Sequence, residues 1–367
     1  MVVALALVAG AAFGLSACTV EVGSRTTSTA SPITTLTQST ETIGSTATTI
    51  AGGGTGADGL ASPAEAVAVK LGPSVVNIGR QDGGQGSGVI YSSDGMIITN
   101  NHVITDDFGN PVQGLEVTFA TGDKLPATVV GRDPLTDLAV IRVTATKPLP
   151  AAVFAAALPA VGEYAVAIGS PAGFQNSVTL GIVSALDRSI DVPSGNGRVE
   201  TYTGLIQTDT PISGGNSGGA LANAEGVVIG VNSAGLFGST VENIGFAIPS
   251  VVVTEVADEI ISSGKATHAF MGIGPTTVSV DLQRQFGLSR SSGVLVAEVT
   301  GGGPADKAGM KQGDIIVKID DKEMVESSDV LAAIRDKKPG DSVQVTIDRE
   351  GTTSVISVTL EERPAGQ

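Results

Sequence analysis

From Pro63 to Pro249 the chain is made of short Val- and Ile-rich runs closed by clusters of turn residues, and no other feature restricts its fold as tightly. Val89–Tyr91 and Met96–Thr99 flank Ser92-Ser93-Asp94-Gly95, a hairpin signal. Leu115–Phe119, Ala127–Val130 and Leu138–Val143 follow, divided by Thr121-Gly122-Asp123 and Arg132-Asp133-Pro134. Beyond Gly162 come Tyr164–Ile168, Gly181–Ala185, Leu205–Thr208, Val227–Val231 and Ile244–Ala247. Regularly spaced strands across one stretch of this size predict two β-barrels packed together. Composition agrees, since 49 glycines, 3% aromatics and no tryptophan favour strands and turns over an aromatic-rich core. Pro249-Ser250 then opens a predicted helix with Val252, Val256 and Ile260 on one face beside Val253 and Ala257. Ser250 is placed to cap it and Gly264 to end it.

The hexapeptide Gly214-Gly215-Asn216-Ser217-Gly218-Gly219 carries the chemistry. It sets one serine in a glycine-rich turn, where backbone N–H groups of Gly215, Asn216 and Ser217 form a candidate oxyanion hole. Acyl transfer needs this pairing of a hydroxyl nucleophile with preorganised donors for the oxyanion. The nucleophile needs a base, and the chain has only two histidines, His102 and His268. His102 directly follows an apolar run in Thr99-Asn100-Asn101-His102, and Asp137 opens another in Thr136-Asp137-Leu138-Ala139. The chain order His, Asp, Ser is that of chymotrypsin-like enzymes. In these roles the neutral His102 imidazole takes the Ser217 proton and returns it to the leaving amine, while Asp137 fixes the tautomer. Asp106, Asp107 and Asp133 compete for the third place, but they stand in turn sequences where aspartate bonds locally. Gly215-Asn216-Ser217-Gly218-Gly219 also fits a nucleophile elbow, with Asp258 and His268 in the order of an α/β-hydrolase. Hairpin-spaced strands around Ser217, and the position of Asp258 on the predicted helix, argue against that fold. His268 is expected at a domain junction.

A formal net charge of −16 argues against a nucleic-acid partner, because phosphate binding needs clustered Lys and Arg. One cysteine excludes an internal disulfide, and two histidines leave no zinc cluster; no cofactor is expected. Residues 1–17 are almost wholly apolar, and Leu15-Ser16-Ala17-Cys18 matches the bacterial lipobox, in which the cysteine becomes acylated. The alternative is a single transmembrane anchor, since the run approaches the ~20 residues that span a bilayer. The usual positive n-region is missing from this run. Both readings attach the protein to a membrane and place its catalytic part outside the cytoplasm. Residues 19–62 are Thr, Ser, Ala and Gly with little to bury, a disordered tether.

These segments together resemble the HtrA (DegP-like) family of envelope serine proteases. The resemblance rests on Gly86-Ser87-Gly88-Val89-Ile90, the Thr-Asn-Asn-His and Asp-Leu-Ala-Val segments, Gly-Asn-Ser-Gly-Gly-Ala-Leu, and Asn243-Ile244-Gly245-Phe246-Ala247-Ile248-Pro249. It implies a mainly β chain, with a chymotrypsin-like double β-barrel protease domain over 63–264 and an α+β PDZ domain over 265–363. Markers of the second domain are Phe270-Met271-Gly272-Ile273, Gly303-Pro304-Ala305, Gly313-Asp314-Ile315-Ile316 and a helix from Ser328 to Lys337 ended by Pro339-Gly340. In that domain Phe270, Met271, Gly272 and Ile273 would receive a peptide's C-terminal carboxylate, with the peptide added as a strand and Leu331 and Ile334 lining a side-chain pocket. In the protease, Pro211 stands where a trypsin-like pocket has its acid, and Ser233, Ala234, Gly235 and Leu236 form the opposite wall. This pattern favours small to medium aliphatic P1 residues. Asn216 replaces the aspartate that pairs with a new N-terminus in zymogens, so activation should come from loop rearrangement. Asp187–Thr203 is the expected sensor loop, Pro211–Gly214 the loop that makes the oxyanion hole, and Gly79–Gly86 is too short for a regulatory insert. The implied function is ATP-independent cleavage of unfolded polypeptides under PDZ control, by a homotrimer. The alternative is a mainly latent protease acting as chaperone or PDZ scaffold.

Overall fold

A computed structural model describes residues 62–106, 108–170, 177–193, 199–235 and 244–364. All of these belong to one compact unit. The protein is mainly β, with a trypsin-like pair of six-stranded sheets followed by an α+β PDZ fold.

Helix α1 (Pro63–Leu71) begins at Ser62, whose hydroxyl accepts from the Glu65 N–H at 3.2 Å, with proline at the first helical position. The first barrel contains β1 (Val75–Gly79), β2 (Gln85–Ile90), β3 (Met96–Asn100), β4 (Leu115–Thr118), β5 (Lys124–Asp133) and β6 (Leu138–Val143). Its sheet closes in the order β1-β2-β3-β6-β5-β4. The second contains β7 (Tyr164–Gly169), β8 (Ser177–Pro193), β9 (Val199–Thr208), β10 (Ala220–Ala222), β11 (Val228–Gly235) and β12 (Gly245–Pro249), closing as β10-β11-β12-β9-β8-β7.

Alternation along the strands separates the cores. Ala165 and Ala167 of β7 fill the second barrel with Val183, Ile206, Leu221 and Ile229. Val166 and Ile168, on the other face, meet Val67 and Leu71 of α1 together with Val75 and Val89 of the first barrel. The helix thus clamps the seam between barrels, and each of its two buried side chains contributes about 1.5–3 kcal/mol. Helix α2 (Ser250–Ser263) covers the opposite seam, burying Val253, Val256, Ala257 and Ile260 against Ile98 and Val140 of one barrel and Val231 and Phe246 of the other. Gly264 ends α2 at φ 82°, as expected.

Ser250 does not cap α2. Pro249, at φ −58°, occupies the cap position, and the Ser250 hydroxyl donates instead to the Ala155 carbonyl at 2.8 Å. Helix α1 and strands β1 and β10 were not signalled by the repeat of apolar runs. The expected sensor loop over 187–203 also differs from the structure. Apart from residues 194–198, which lie outside the described residues, it forms the paired ends of β8 and β9. By contrast, only residues 80–84 separate β1 from β2, leaving no room for an insert.

The C-terminal fold contains β13 (Ala269–Phe270), β14 (Ile273–Thr277), α3 (Val280–Phe286), β15 (Val294–Val299), α4 (Pro304–Lys307), β16 (Ile315–Ile319) and β17 (Lys322–Glu323). Helix α5 (Ser327–Arg335), β18 (Ser342–Arg349), β19 (Thr352–Thr359) and β20 (Glu361–Glu362) complete it. Its sheet runs β14-β15-β16-β18-β19, so β14 is an edge strand. Val294, Val296, Ile316, Val343, Val345 and Ile347 build the core under α5, which buries Val330 and Ala333. Polar contacts that tie this fold to the protease part include His268 Nε2 with Asp133 Oδ2 at 2.8 Å, Arg335 Nη1 with Asp187 Oδ1 at 3.7 Å, and Lys338 Nζ with Glu255 Oε1 of α2 at 3.7 Å.

Candidate active site

Asp137 sits in the turn between β5 and β6, only 1% exposed and in the left-handed conformation at φ 57°. Few non-glycine residues hold that conformation unless neighbours fix it. Here its carbonyl accepts from the Asn101 N–H and from Asn100 Nδ2, both at 3.0 Å. Its carboxylate faces His102, on the 3-10 turn Asn101–Ile104 that follows β3. Oδ1 accepts from the His102 backbone N–H at 3.0 Å, and Oδ2 lies 2.8 Å from both His102 Nδ1 and Ser233 Oγ. An ionised carboxylate only accepts, so the proton belongs on Nδ1 and Nε2 keeps a free lone pair. The ring retains 48% of its side-chain surface open to solvent. Partial burial works to lower its pKa, but the charge and hydrogen bond of Asp137 outweigh that, and His102 is held above the ordinary histidine value.

Ser217 lies in the turn ahead of β10, anchored on both sides. Its carbonyl accepts from the Ser87 N–H at 2.8 Å, and the Gly218 N–H donates to the Asn232 carbonyl at 2.8 Å. The Ser217 hydroxyl donates to the Ser233 carbonyl at 3.0 Å. Among the described residues it makes no hydrogen bond to His102. Gly215 takes φ 98°, a conformation suited to glycine, and the Asn216 N–H closes a turn onto the Ser213 carbonyl at 3.0 Å. That N–H is therefore committed and is not an oxyanion donor, contrary to expectation. The N–H groups of Gly215 and Ser217 have no hydrogen-bond partner among the described residues.

Ser233 also differs from its expected place in a pocket wall. It is 3% exposed, its hydroxyl serves Asp137, and its carbonyl holds the Ser217 hydroxyl. Pro211 is exposed, and its carbonyl accepts from Thr179 Oγ1 at 2.8 Å. Ala234 and Gly235 are described by their backbone alone, at the end of β11, and Leu236 lies outside the described residues.

The competing groups are engaged elsewhere. Asp133, 4% exposed, accepts from the Leu135 N–H, Thr136 Oγ1 and His268 Nε2. Asp106 accepts from the N–H groups of Phe108 and Asn110, and Asp107 lies outside the described residues. Asp258 accepts from the Tyr91 hydroxyl at 2.6 Å; burial and this bond push that phenol up to about 12. The Ser217, Asp258, His268 arrangement of a hydrolase elbow is thus not assembled. No group of three His, Cys, Asp or Glu side chains among the described residues could hold a metal ion.

In the C-terminal fold, Met271 is 1% exposed and turned into the core, so only its backbone can serve a ligand. Gly272 has φ 83°, its carbonyl accepts from the Thr300 N–H at 2.9 Å, and Phe270 and Ile273 flank it on β13 and β14. Leu331 and Ile334 are half-buried on α5, whose first N–H donates to Thr277 Oγ1 of β14 at 2.9 Å. The edge strand and this helix thus lie side by side. Cys18 and residues 19–61 lie outside the described residues, among which no helix is long and apolar enough to cross a membrane.

Residues 86–231 match the trypsin-like peptidase domain family, and residues 269–360 match the PDZ domain family. A solved structure of the HtrA-type protease AlgW with a decapeptide is 30% identical and superposes with a TM-score of 0.67, over 83% of this chain and 99% of that one. The chain belongs to the HtrA family of serine proteases. Among curated HtrA-like relatives, serine protease PepD of Mycobacterium tuberculosis is 39% identical over 81% of this chain and 65% of its own length. A probable periplasmic DegP-like serine endoprotease of Chlamydia trachomatis is 40% identical over 78% of this chain and 55% of its own. The chain therefore spans between about half and two thirds of the length of these two relatives.

Proposed function

We propose that this protein is an ATP-independent serine endopeptidase of the cell envelope that cleaves unfolded polypeptides under control of its PDZ domain. The observation that carries the reading is the buried Asp137 carboxylate, 2.8 Å from Nδ1 of a half-exposed His102 whose pKa is raised. In this mechanism His102 Nε2 takes the Ser217 proton as Oγ attacks the scissile carbonyl. The N–H groups of Gly215 and Ser217 receive the oxyanion. The imidazolium, stabilised by Asp137, then protonates the leaving amine, and water repeats the sequence on the acyl-enzyme. A peptide C-terminus would add beside β14, whose free edge supplies backbone groups, and the decapeptide-bound AlgW structure supports peptide binding in this family. Envelope location rests on the periplasmic relative and on the Cys18 lipobox; a homotrimer follows from the family resemblance alone.

One observation favours the second reading, a protease that is latent at rest. The Ser217 hydroxyl is bonded to Ser233 and not to His102, so attack requires it to rotate. Casein hydrolysis with and without hydrophobic C-terminal peptides separates the two readings, with Ser217→Ala as control. Loss of the nucleophile should cost about 10⁴–10⁶ in turnover. A Ser217→Ala variant within tenfold of wild type would sink the assignment.

A further inference from the structure

Ser87, fully buried in β2 of the first barrel, directs its N–H and its hydroxyl at the second barrel, on and beside the nucleophile turn. Its N–H donates to the Ser217 carbonyl at 2.8 Å, and its hydroxyl donates to the Gly215 carbonyl at 2.5 Å. The same hydroxyl accepts from the Ser170 N–H at 2.8 Å, so its single proton is directed at Gly215. Its carbonyl accepts from Thr99 Oγ1 at 2.7 Å, which fixes the strand behind it.

The Gly215–Asn216 peptide is a rigid plane. One edge is held by Ser87 and the other by the Ser213 carbonyl. Glycines at 214 and 215 give this turn little preference of its own, because glycine populates positive and negative φ about equally. The bias toward the conformer that leaves the Gly215 and Ser217 N–H groups unclaimed must come from outside the turn. We propose that Ser87 is a positioning residue for the oxyanion donors, set across the barrel seam from the residues it orders. The proposal rests on the endopeptidase reading above.

The test uses the full chain, a fluorogenic peptide, and a peptide boronic acid whose tetrahedral adduct with Ser217 places an oxygen at the oxyanion position. In Ser87→Ala, kcat should fall about 10- to 100-fold and boronate affinity should fall in parallel, since losing a whole oxyanion donor costs about 10²–10³. KM should stay within about threefold of wild type, and the acid limb of the pH profile should not move, because His102 and Asp137 are untouched. A folded variant that keeps wild-type kcat and boronate affinity overturns the proposal. So does one that keeps boronate affinity while its acid limb shifts, since Ser87 would then act through His102. If Ser87→Ala does not fold by circular dichroism, Ser87→Cys, with a weaker donor of similar shape, is held to the same two criteria. A wild-type protein that neither cleaves peptide nor binds boronate overturns the endopeptidase reading itself.

Discussion

Replacing one oxygen of Asp137 by nitrogen should disable the site through the tautomer of His102, and the hydrogen bonds dictate how. Oδ1 accepts from the His102 backbone N–H at 3.0 Å, a donor that cannot turn away. The side-chain amide introduced by Asp137→Asn must therefore keep its oxygen at that position. Its NH₂ group then takes the Oδ2 position, 2.8 Å from both His102 Nδ1 and Ser233 Oγ. Ser233 can rotate to accept; Nδ1, 2.8 Å from this nitrogen against 3.0 Å from the oxygen, escapes a donor-to-donor contact by giving up its proton. The ring proton moves to Nε2, where a general base needs a lone pair.

In Asp137→Asn we therefore expect kcat to fall by about 10⁴ at neutral pH, as for the corresponding change in other triads. At about 1.36 kcal/mol per tenfold this is roughly 5.5 kcal/mol of lost transition-state stabilisation. The pH profile provides an independent check. Wild-type His102 has a pKa above the ordinary value near 6.5 because Asp137 outweighs burial, so activity should fall as pH drops through a value above 6.5. Without that charge, burial and the nearby Arg80 cation both lower the pKa, and the acid limb of the residual activity should move below about 6.5. Initial rates on a fluorogenic peptide between about pH 5 and 9 measure both effects. Activity within tenfold of wild type, or an acid limb that stays in place, would refute the argument. The sign for stability is set by the same pair. A histidine whose pKa is raised on folding contributes stability that is complete below the unfolded value and is lost as pH rises through the folded one.

Gly218→Ala should destabilise the protease by about 2–5 kcal/mol: the residue has φ 82°, and a Cβ there would overlap the Ser87 carbonyl oxygen and the Thr99 hydroxyl bonded to it. A thermal midpoint within about 1 °C of wild type would refute this. Removing residues 265–367 should leave reaction with a serine-directed phosphonate probe intact but abolish stimulation by hydrophobic C-terminal peptides, because a ligand shifts an equilibrium only through differential affinity. Equal stimulation of the truncated and full chains would clear the PDZ domain of sensing. Cys18→Ala should release the protein into the soluble fraction, since stable attachment needs two or more acyl chains. Retention in the membrane fraction would instead assign the apolar segment as a transmembrane anchor.

What could be seen in the sequence was local, and what could not was held across the barrel seam. The His102, Asp137 and Ser217 segments were legible because each is a short contiguous signal: a histidine after an apolar run, an aspartate before one, a serine among glycines. The supports were not. Ser87 and Gly215 are 128 positions apart, and Ser233 reaches Asp137 over 96, so neither partner carries a mark of the other. Strand β10 is only three residues long and follows directly on the glycine turn, too short to show a period. Residues 187–203 read as a loop because they are polar and contain glycine. Antiparallel strands with a solvated face accept such residues, and the ladder between β8 and β9 needs only their backbones. Ser250 falls one position inside the helix, behind a cap with no side-chain bond, because its hydroxyl is drawn to the Ala155 carbonyl, 95 positions away. In the sequence Asp133 reads as a turn aspartate and His268 as a domain-junction residue, and neither position names its partner. Their mutual bond at 2.8 Å joins the turn that carries Asp137 to the start of the PDZ fold, so the two residues set aside from the chemistry hold its scaffold instead.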